Sequence, residues 1–450
     1  MTPATTRTAG RHAPRMLVSL VRSEVFPSLL LVAATASALA LANSPWAHAF
    51  EQLWETPLRL QLGGLAFSKP VHHWINDGLM VLFFFFVGLE IKHEMLDGQL
   101  RSPRQAALPI AAAVGGMVLP AAFYATTVAL HGDAAAARGW GIPMATDIAF
   151  ALGVLALLGP RVPPGLKVLL AALAIADDLG AVFVIAVFYT DAVHWPFLLA
   201  ALGIVLLSFA LNRLGVRKTW PYVVCGLLLW LLFLQSGVHA TIAGVALAMT
   251  IPARRQLDET LFSRRARELL DAFDRDADPT PRTNNQQLAH VRELQDHAVA
   301  VQAPLQRMEH ALGPFVSHVV VPLFALANAG VAFADGFDLH AAAAQGVVIG
   351  LCAGKPLGVL LACALGVRLL RLPLPPGVTW RHLHGAAWLA GIGFTMSLFV
   401  DGLAFPAHSP AFGAAKLAIM IASAVAGTVG FLLLRWAPAP AAVAPDAASP

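Results

Sequence analysis

Apolar runs of 16 to 26 residues recur along the chain, each closed by a short cluster of Arg, Lys, Asp, Pro or Gly. In hydrocarbon every backbone N–H and C=O must be satisfied within its own segment, so a run of ~20 apolar residues predicts a membrane-crossing helix. Twelve such runs occur, at about 25–42, 76–96, 106–130, 142–159, 165–190, 195–212, 220–235, 237–252, 314–334, 345–367, 384–402 and 411–434. Several contain Gly or Pro, which lipid-embedded helices tolerate. The pattern predicts an all-α membrane protein with about 12 transmembrane helices, its transmembrane domain covering residues 25–436.

Three stretches depart from that pattern. Residues 254–303 are the longest polar stretch, with Leu257, Leu261, Leu269, Leu270 and Phe273 spaced as on an amphipathic helix before a break at Asp278-Pro279-Thr280-Pro281. They predict a long cytoplasmic loop whose helix lies on the bundle or the membrane surface. Residues 1–24 form a polar amino-terminal tail, and the Pro/Ala-rich residues 437–450 predict a disordered one. The Arg-bearing start of the first apolar run and its Ala40-Leu41-Ala42 end share features with a cleavable leader. The length of the tail before it favours a retained helix.

Composition narrows the classes. Hydrophobic residues make up 58% and charged residues 12%, the latter about half of the ~25% usual in soluble domains. Such a chain can neither cover a soluble surface nor stay disordered. The placement of charge orients it: 25 of the 30 Lys and Arg lie in the amino-terminal tail and every second connection, whereas the alternate connections hold only Arg59, Lys69 and Arg138. By the positive-inside rule both termini are cytoplasmic. Cys225, Cys352 and Cys363 sit in apolar runs and suggest no disulfide framework. No phosphate-binding Gly-Lys-Ser/Thr loop occurs, so ATP is not expected to power the protein. Phe83 to Phe86 read as packing residues, and His72, His73 and Trp74 as an interfacial anchor.

Against this background four ionisable residues stand near mid-membrane: Asp147, Asp177, Asp178 and Lys355. Each costs ~2.5–3.5 kcal/mol to insert at a helix centre, and function usually accounts for such a cost. Asp177 and Asp178 are adjacent, so on a helix their side chains diverge by about 100° and make different contacts. Close carboxylates in a low-dielectric site resist simultaneous ionisation, and carboxylate oxygens suit hard cations. One pair can therefore hold either protons or a small cation. Thr146-Asp147 follows Gly141-Ile142-Pro143, which favours a broken helix, and Gly391-Ile392-Gly393 marks a matching interruption late in the chain. Paired interruptions of this kind point to a midplane binding site in a secondary transporter. Lys355 supplies the compensating cation. The residues alone leave open an intramembrane aspartyl protease and a sodium-coupled carrier of organic solutes, although the sequential aspartates and Lys355 argue against a shared-proton dyad.

At these residues the sequence resembles the NhaA-type sodium/proton antiporters. The matching stretches are Asn76-Asp77-Gly78-Leu79-Met80, Gly88-Leu89-Glu90-Ile91-Lys92, Ala145-Thr146-Asp147-Ile148-Ala149-Phe150, Asp177-Asp178-Leu179-Gly180, His239-Ala240-Thr241-Ile242-Ala243-Gly244, Pro322 to Gly330, Gly354-Lys355-Pro356-Leu357-Gly358 and Gly391 to Ser397. The resemblance implies a fold of inverted repeats with two broken helices crossing near the midplane. It makes Asp178 the main ligand of Na+ or Li+, and Asp177 its proton-exchanging neighbour that can pair with Lys355. Thr146 and Asp147 belong to the crossing, where Asp147 and Lys355 offset half-helix dipoles. The implied activity is electrogenic: Na+ or Li+ is expelled for more than one proton, with a pH response at Glu90, Glu94, Glu309 and His310. His239 is a further sensor candidate, and Asp77 a candidate for the outer funnel. His93 stands where the family often has Arg, and Gly313 where a second His can occur. The implied protein is a transporter and not an enzyme, with no cofactor and no nucleic-acid partner. It would sit in the lipid of a bacterial-type inner membrane, with a second copy of the chain as an allowed partner, a homodimer.

Overall fold

The computed structural model describes residues 25–62, 65–98, 100–190, 193–276, 284–332, 338–407 and 409–438. The tail 1–24, most of the tail 437–450 and the expected break at Asp278 to Pro281 lie outside them. In chain order the elements are α1 (Phe26–Ala42), α2 (Ala47–Glu55), β1 (Pro57–Leu62), β2 (Leu65–Pro70), α3 (Val71–Leu96), α4 (Pro103–His131), α5 (Ala135–Arg161), α6 (Pro164–Phe188), α7 (Trp195–Arg213), α8 (Trp220–Ser236) and α9 (Thr241–Thr250). Then come α10 (Glu259–Arg275), α11 (Asn285–Val301), α12 (Pro304–Asn328), α13 (Ala342–Leu369), α14 (Trp380–Ala390), α15 (Phe394–Ala404) and α16 (Pro410–Arg435).

All twelve apolar runs fall on helices. Among the described residues, eight helices (α3 to α7, α12, α13 and α16) are long and apolar enough to cross a membrane. The number rises to ten if α1 with α2, bent by 114°, and α14 with α15, bent by 41°, each form one span. The runs at 220–235 and 237–252 become α8 and α9, of 17 and 10 residues. At 1.5 Å per residue, α9 covers about 15 Å, half the thickness of a bilayer core. Its apolar length in sequence therefore overstates its reach.

The chain forms two compact units. Of the described residues, one comprises those of 25–80, 97–190 and 317–438, the other those of 81–96 and 193–316. In the first, α4 is the helix against which others lie. A Cβ placed on Gly115 or Gly358 would strike the other's carbonyl, so α4 and α13 touch backbone to backbone. Gly180 of α6 takes the Met117 thioether of α4 in the same way. Small residues at such crossings let helices approach where lipid offers no hydrophobic drive. The all-α framework also carries, in the same unit, a short antiparallel hairpin with Pro57 opposite Pro70 and Arg59 opposite Ser68. Its first strand alternates Leu58, Leu60 and Leu62 with Arg59 and Gln61, the period of two that a strand requires.

In the second unit, Phe85 and Leu89 of α3 pack with Tyr222 and Leu229 of α8 and Leu247 of α9. Phe83 and Phe84 are buried as well. Lys92 donates to the carbonyls of Met249 and Ile251, both at 2.6 Å, and so caps the end of α9. The polar stretch 254–303 is more ordered than a single surface helix. Asp258 caps α10, and Asn284 with Gln287 forms a capping box on α11. Gln287 donates to the Phe273 carbonyl at 3.1 Å and His290 meets Asp276 at 2.9 Å, while Leu257 donates to the Ala300 carbonyl. These contacts join α10 and α11 as an antiparallel hairpin. Of the expected apolar stripe, Leu269 is buried and Leu270 faces out.

Gly358→Val should force α4 and α13 apart at a cost of roughly 1–3 kcal/mol for overpacking. The expected outcome is a lower melting temperature of the purified protein in detergent, with Gly358→Ala intermediate.

Candidate functional site

The first unit contains two interruptions, and the structure brings them together. α5 begins as a 3-10 segment, Ala135–Met144, runs extended through residues 145–147, and resumes as an α-helix over Ile148–Leu158. Pro143 cannot donate an amide proton, which favours a break there. α14 ends at Ala390 and α15 starts at Phe394, with Gly391 to Gly393 between them.

Each break exposes helix ends that hydrocarbon would leave unsatisfied. Asp147 serves two of them. Its Oδ1 accepts from the Phe150 amide at 2.9 Å, capping its own half-helix. Its Oδ2 accepts from the Thr395 amide at 3.2 Å and the Thr395 hydroxyl at 2.5 Å, capping α15. A carboxylate shared by two helix N-termini faces the positive end of both dipoles. The opposite ends are met in turn. The Thr146 hydroxyl donates to the Ala390 carbonyl at 2.8 Å, the Asp147 amide donates to the Ile392 carbonyl at 2.7 Å, and the Lys355 ammonium donates to the Met144 carbonyl. Ser397 ties α15 to the Ile142 carbonyl at 2.7 Å, and Ser423 of α16 accepts from the Phe394 amide at 3.1 Å. Ser397 closes one of the stretches quoted from sequence but was given no role there, and Ser423 was not singled out. Their pairing with interrupted backbone across long sequence separations gives no local signal.

Lys355 joins the crossing to the paired aspartates. Its Nζ lies 2.5 Å from Asp177 Oδ2. Asp177 and Lys355 are fully buried, Asp178 is 1% exposed and Asp147 2% exposed, so their charges are offset inside the protein or not at all. Asp178 lies close enough to act electrostatically on Lys355. The second oxygen of Asp177 has no hydrogen-bond donor among the described residues. No three His, Cys, Asp or Glu side chains converge as for a transition metal among those residues. Carboxylate oxygens such as those of Asp177 and Asp178 suit hard cations.

The remaining candidates fall elsewhere. Asp77 sits in a π-helical turn of α3, paired with His73 at 2.9 Å. Its neighbour Asn76 exchanges hydrogen bonds with Asn328 at 3.2 and 2.9 Å, which joins two of the stretches quoted from sequence. In the second unit, Glu90 lies among Glu94, Glu309 and His93, and His93 bonds Glu309 at 2.8 Å. His310 turns to the Gln306 carbonyl of its own helix at 2.7 Å. His239 stands before α9, about 15 Å along that helix from the end capped by Lys92.

Lys355→Gln leaves a buried carboxylate without its cation, a loss of roughly 3–5 kcal/mol. The variant should melt well below the parent in detergent, and Asp177→Asn/Lys355→Gln should recover much of the difference; equal stability of single and double variants would contradict the pairing.

The family model described as Na+/H+ antiporter 1 matches residues 18–434. The chain is 47% identical to the Na(+)/H(+) antiporter NhaA of Koribacter versatilis over 93% of its own length and 90% of that protein's. It is 49% identical to the NhaA of Oleidesulfovibrio alaskensis, over 92% of each chain. With the NhaA of Helicobacter pylori strain HPAG1 the identity is 44%, over 93% of this chain and 94% of the other. A match of this extent includes both interruptions and the paired aspartates, and the chain belongs to the Na+/H+ antiporter 1 family of membrane transporters.

Proposed function

We propose that the chain is a secondary active, electrogenic antiporter that expels Na+ or Li+ from a bacterial cell in exchange for more than one proton, by alternating access at Asp177 and Asp178. It would sit in the inner membrane with both termini cytoplasmic. The observation that carries this reading is the buried Asp177–Lys355 pair at 2.5 Å, placed beside Asp178. A cation and a proton compete there for the same carboxylate oxygens. When Na+ arrives at Asp178 and Asp177, it replaces the Lys355 ammonium as the charge partner of Asp177. Lys355 keeps the Met144 carbonyl and releases a proton, and Asp178 releases another. Two protons then leave for each cation bound, which makes the exchange electrogenic. Asp147 and Thr146 hold the ends of the crossing through bonds to Phe150, Thr395 and Ala390.

The test is addition of Na+ or Li+ to everted membrane vesicles with an acid interior. The parent should dissipate the pH difference, and Asp178→Asn should fall to the level of vesicles without the protein. Retained response in Asp178→Asn would remove Asp178 from the exchange.

Glu90, Glu94, Glu309 and His93 are the proposed sensor of cytoplasmic pH, with His310 and His239 outside the group. A cluster of carboxylates around an imidazole changes its net charge on titration, and that can bias helix packing. Glu309→Gln removes the acidic partner of His93 and one of the carboxyls beside Glu90. The pH of half-maximal exchange in the vesicle assay should move toward acid by roughly one unit, with the maximal rate little changed.

A further inference from the structure

The first unit contains another buried carboxyl that the exchange as described does not use. Asp401 is fully buried on α15, and neither of its oxygens has a hydrogen-bond donor among the described residues. It lies one turn beyond Ser397 on the face that meets the first segment of α5. Along the axis it is about 10 Å from the α15 end capped by Asp147. The connection that follows α15 belongs to the set poor in Lys and Arg, so Asp401 is on the outward side of the crossing under the orientation expected from charge.

The charged and titratable groups facing Asp401 can be named from each neighbouring element. From α16 comes Lys416, the cation whose charge acts on it. From α4 comes Tyr124, and from the end of α6 Tyr189, both within electrostatic range; the first segment of α5 brings Arg138, whose charge acts on Tyr189, and Asp133 just before it acts on Tyr124. The Tyr124 hydroxyl donates to the Ala136 carbonyl at 2.9 Å, and the Tyr189 hydroxyl donates to the Arg138 carbonyl at 2.7 Å. Both phenolic protons are thus committed to backbone. Lys416 does not depend on Asp401 for its place: its ammonium lies 3.4 Å from the Gly330 carbonyl and 4.5 Å from the centre of the Phe412 ring. Lys416 therefore keeps its place when Asp401 takes up a proton.

We propose that Asp401, facing Lys416, is a second proton-exchanging carboxyl of the transporter, one that loads its proton from the outer side of the crossing. In the step an O–H bond of hydronium from the outer aqueous phase breaks as the O–H bond of the Asp401 carboxyl forms, and water is released. The proposal rests on the reading of Asp177 and Asp178 as the exchange site, and it places a separate proton station on the path to them.

The test uses the full chain reconstituted in proteoliposomes and has two readouts. Dicyclohexylcarbodiimide, an apolar carbodiimide, reacts with protonated buried carboxyls: the acid proton moves to a carbodiimide nitrogen, the carboxyl oxygen bonds its central carbon, and the adduct rearranges to a stable N-acylurea. Mass mapping of the parent should find Asp401 labelled at acid pH, with labelling falling up to about tenfold per pH unit once the group titrates. In transport, Asp401→Asn should lower exchange and flatten its dependence on outer pH, so that the ratio of rates at outer pH 6 and pH 8 changes at least about fivefold. If that variant fails to fold, the doubly neutral Asp401→Asn/Lys416→Met carries the transport arm, and if neither folds the labelling of the parent decides. Labelling that is absent or independent of pH, or an outer-pH profile like the parent's in a folded variant, overturns the proposal. Asp178→Asn serves as the separating control: its exchange should vanish while pH-dependent labelling of Asp401 persists, and retained exchange there would sink the exchange-site reading instead.

Discussion

A broken helix in hydrocarbon has amide and carbonyl ends with no water to bind, and the first unit is organised around that constraint. Two breaks satisfy each other more cheaply than either could alone. Asp147 accepts from the starts of both resuming helices, while Thr146 and the Asp147 amide donate to the carbonyls of Ala390 and Ile392. The gain is large because an unsatisfied polar group in an apolar medium costs several kcal/mol. The glycines at 115 and 358 serve the same arrangement, since they let the helix that carries Lys355 approach α4 at backbone distance.

Lys355 serves two needs at once. Its ammonium offsets the exposed Met144 carbonyl and also the Asp177 carboxylate. A buried pair of this kind is a weak source of stability, because desolvation consumes most of the Coulombic gain. The pair is placed so that it can be parted, since Lys355 holds the Met144 carbonyl as well as Asp177. The backbone carbonyl then retains Lys355, so losing one partner does not set it adrift.

Much of this could be read from the chain. The four ionisable residues stood out because the runs around them are otherwise apolar, and the breaks were signalled by Pro143 and by Gly391 and Gly393. Features defined by distant partners could not be read in this way. The bond between His93 and Glu309 joins residues far apart in sequence, and Lys92 looked like an ordinary basic connector until its carbonyl partners on residues 249 and 251 were placed. Asp401 escaped notice because it stands at the end of its apolar run, where a charge is cheap if it reaches the interface. The fold turns it inward. The hairpin of residues 57–70 was short enough to pass as a connection, and α9 was extended in sequence by apolar turn residues that do not continue its helix.

The distribution of carboxylate oxygens explains why three aspartates close together need not share one role. Asp147 has both oxygens engaged by amides and a hydroxyl, so a cation could bind there only by uncapping a helix. Asp177 gives one oxygen to Lys355 and has no donor on the other among the described residues. It also stands on α6, a continuous helix of 25 residues whose backbone is satisfied without it. Displacing its partner therefore costs an ion pair and leaves the backbone intact. Asp147 is thus tied to the ends of broken helices, whereas Asp177 stands on an unbroken one whose backbone does not depend on it.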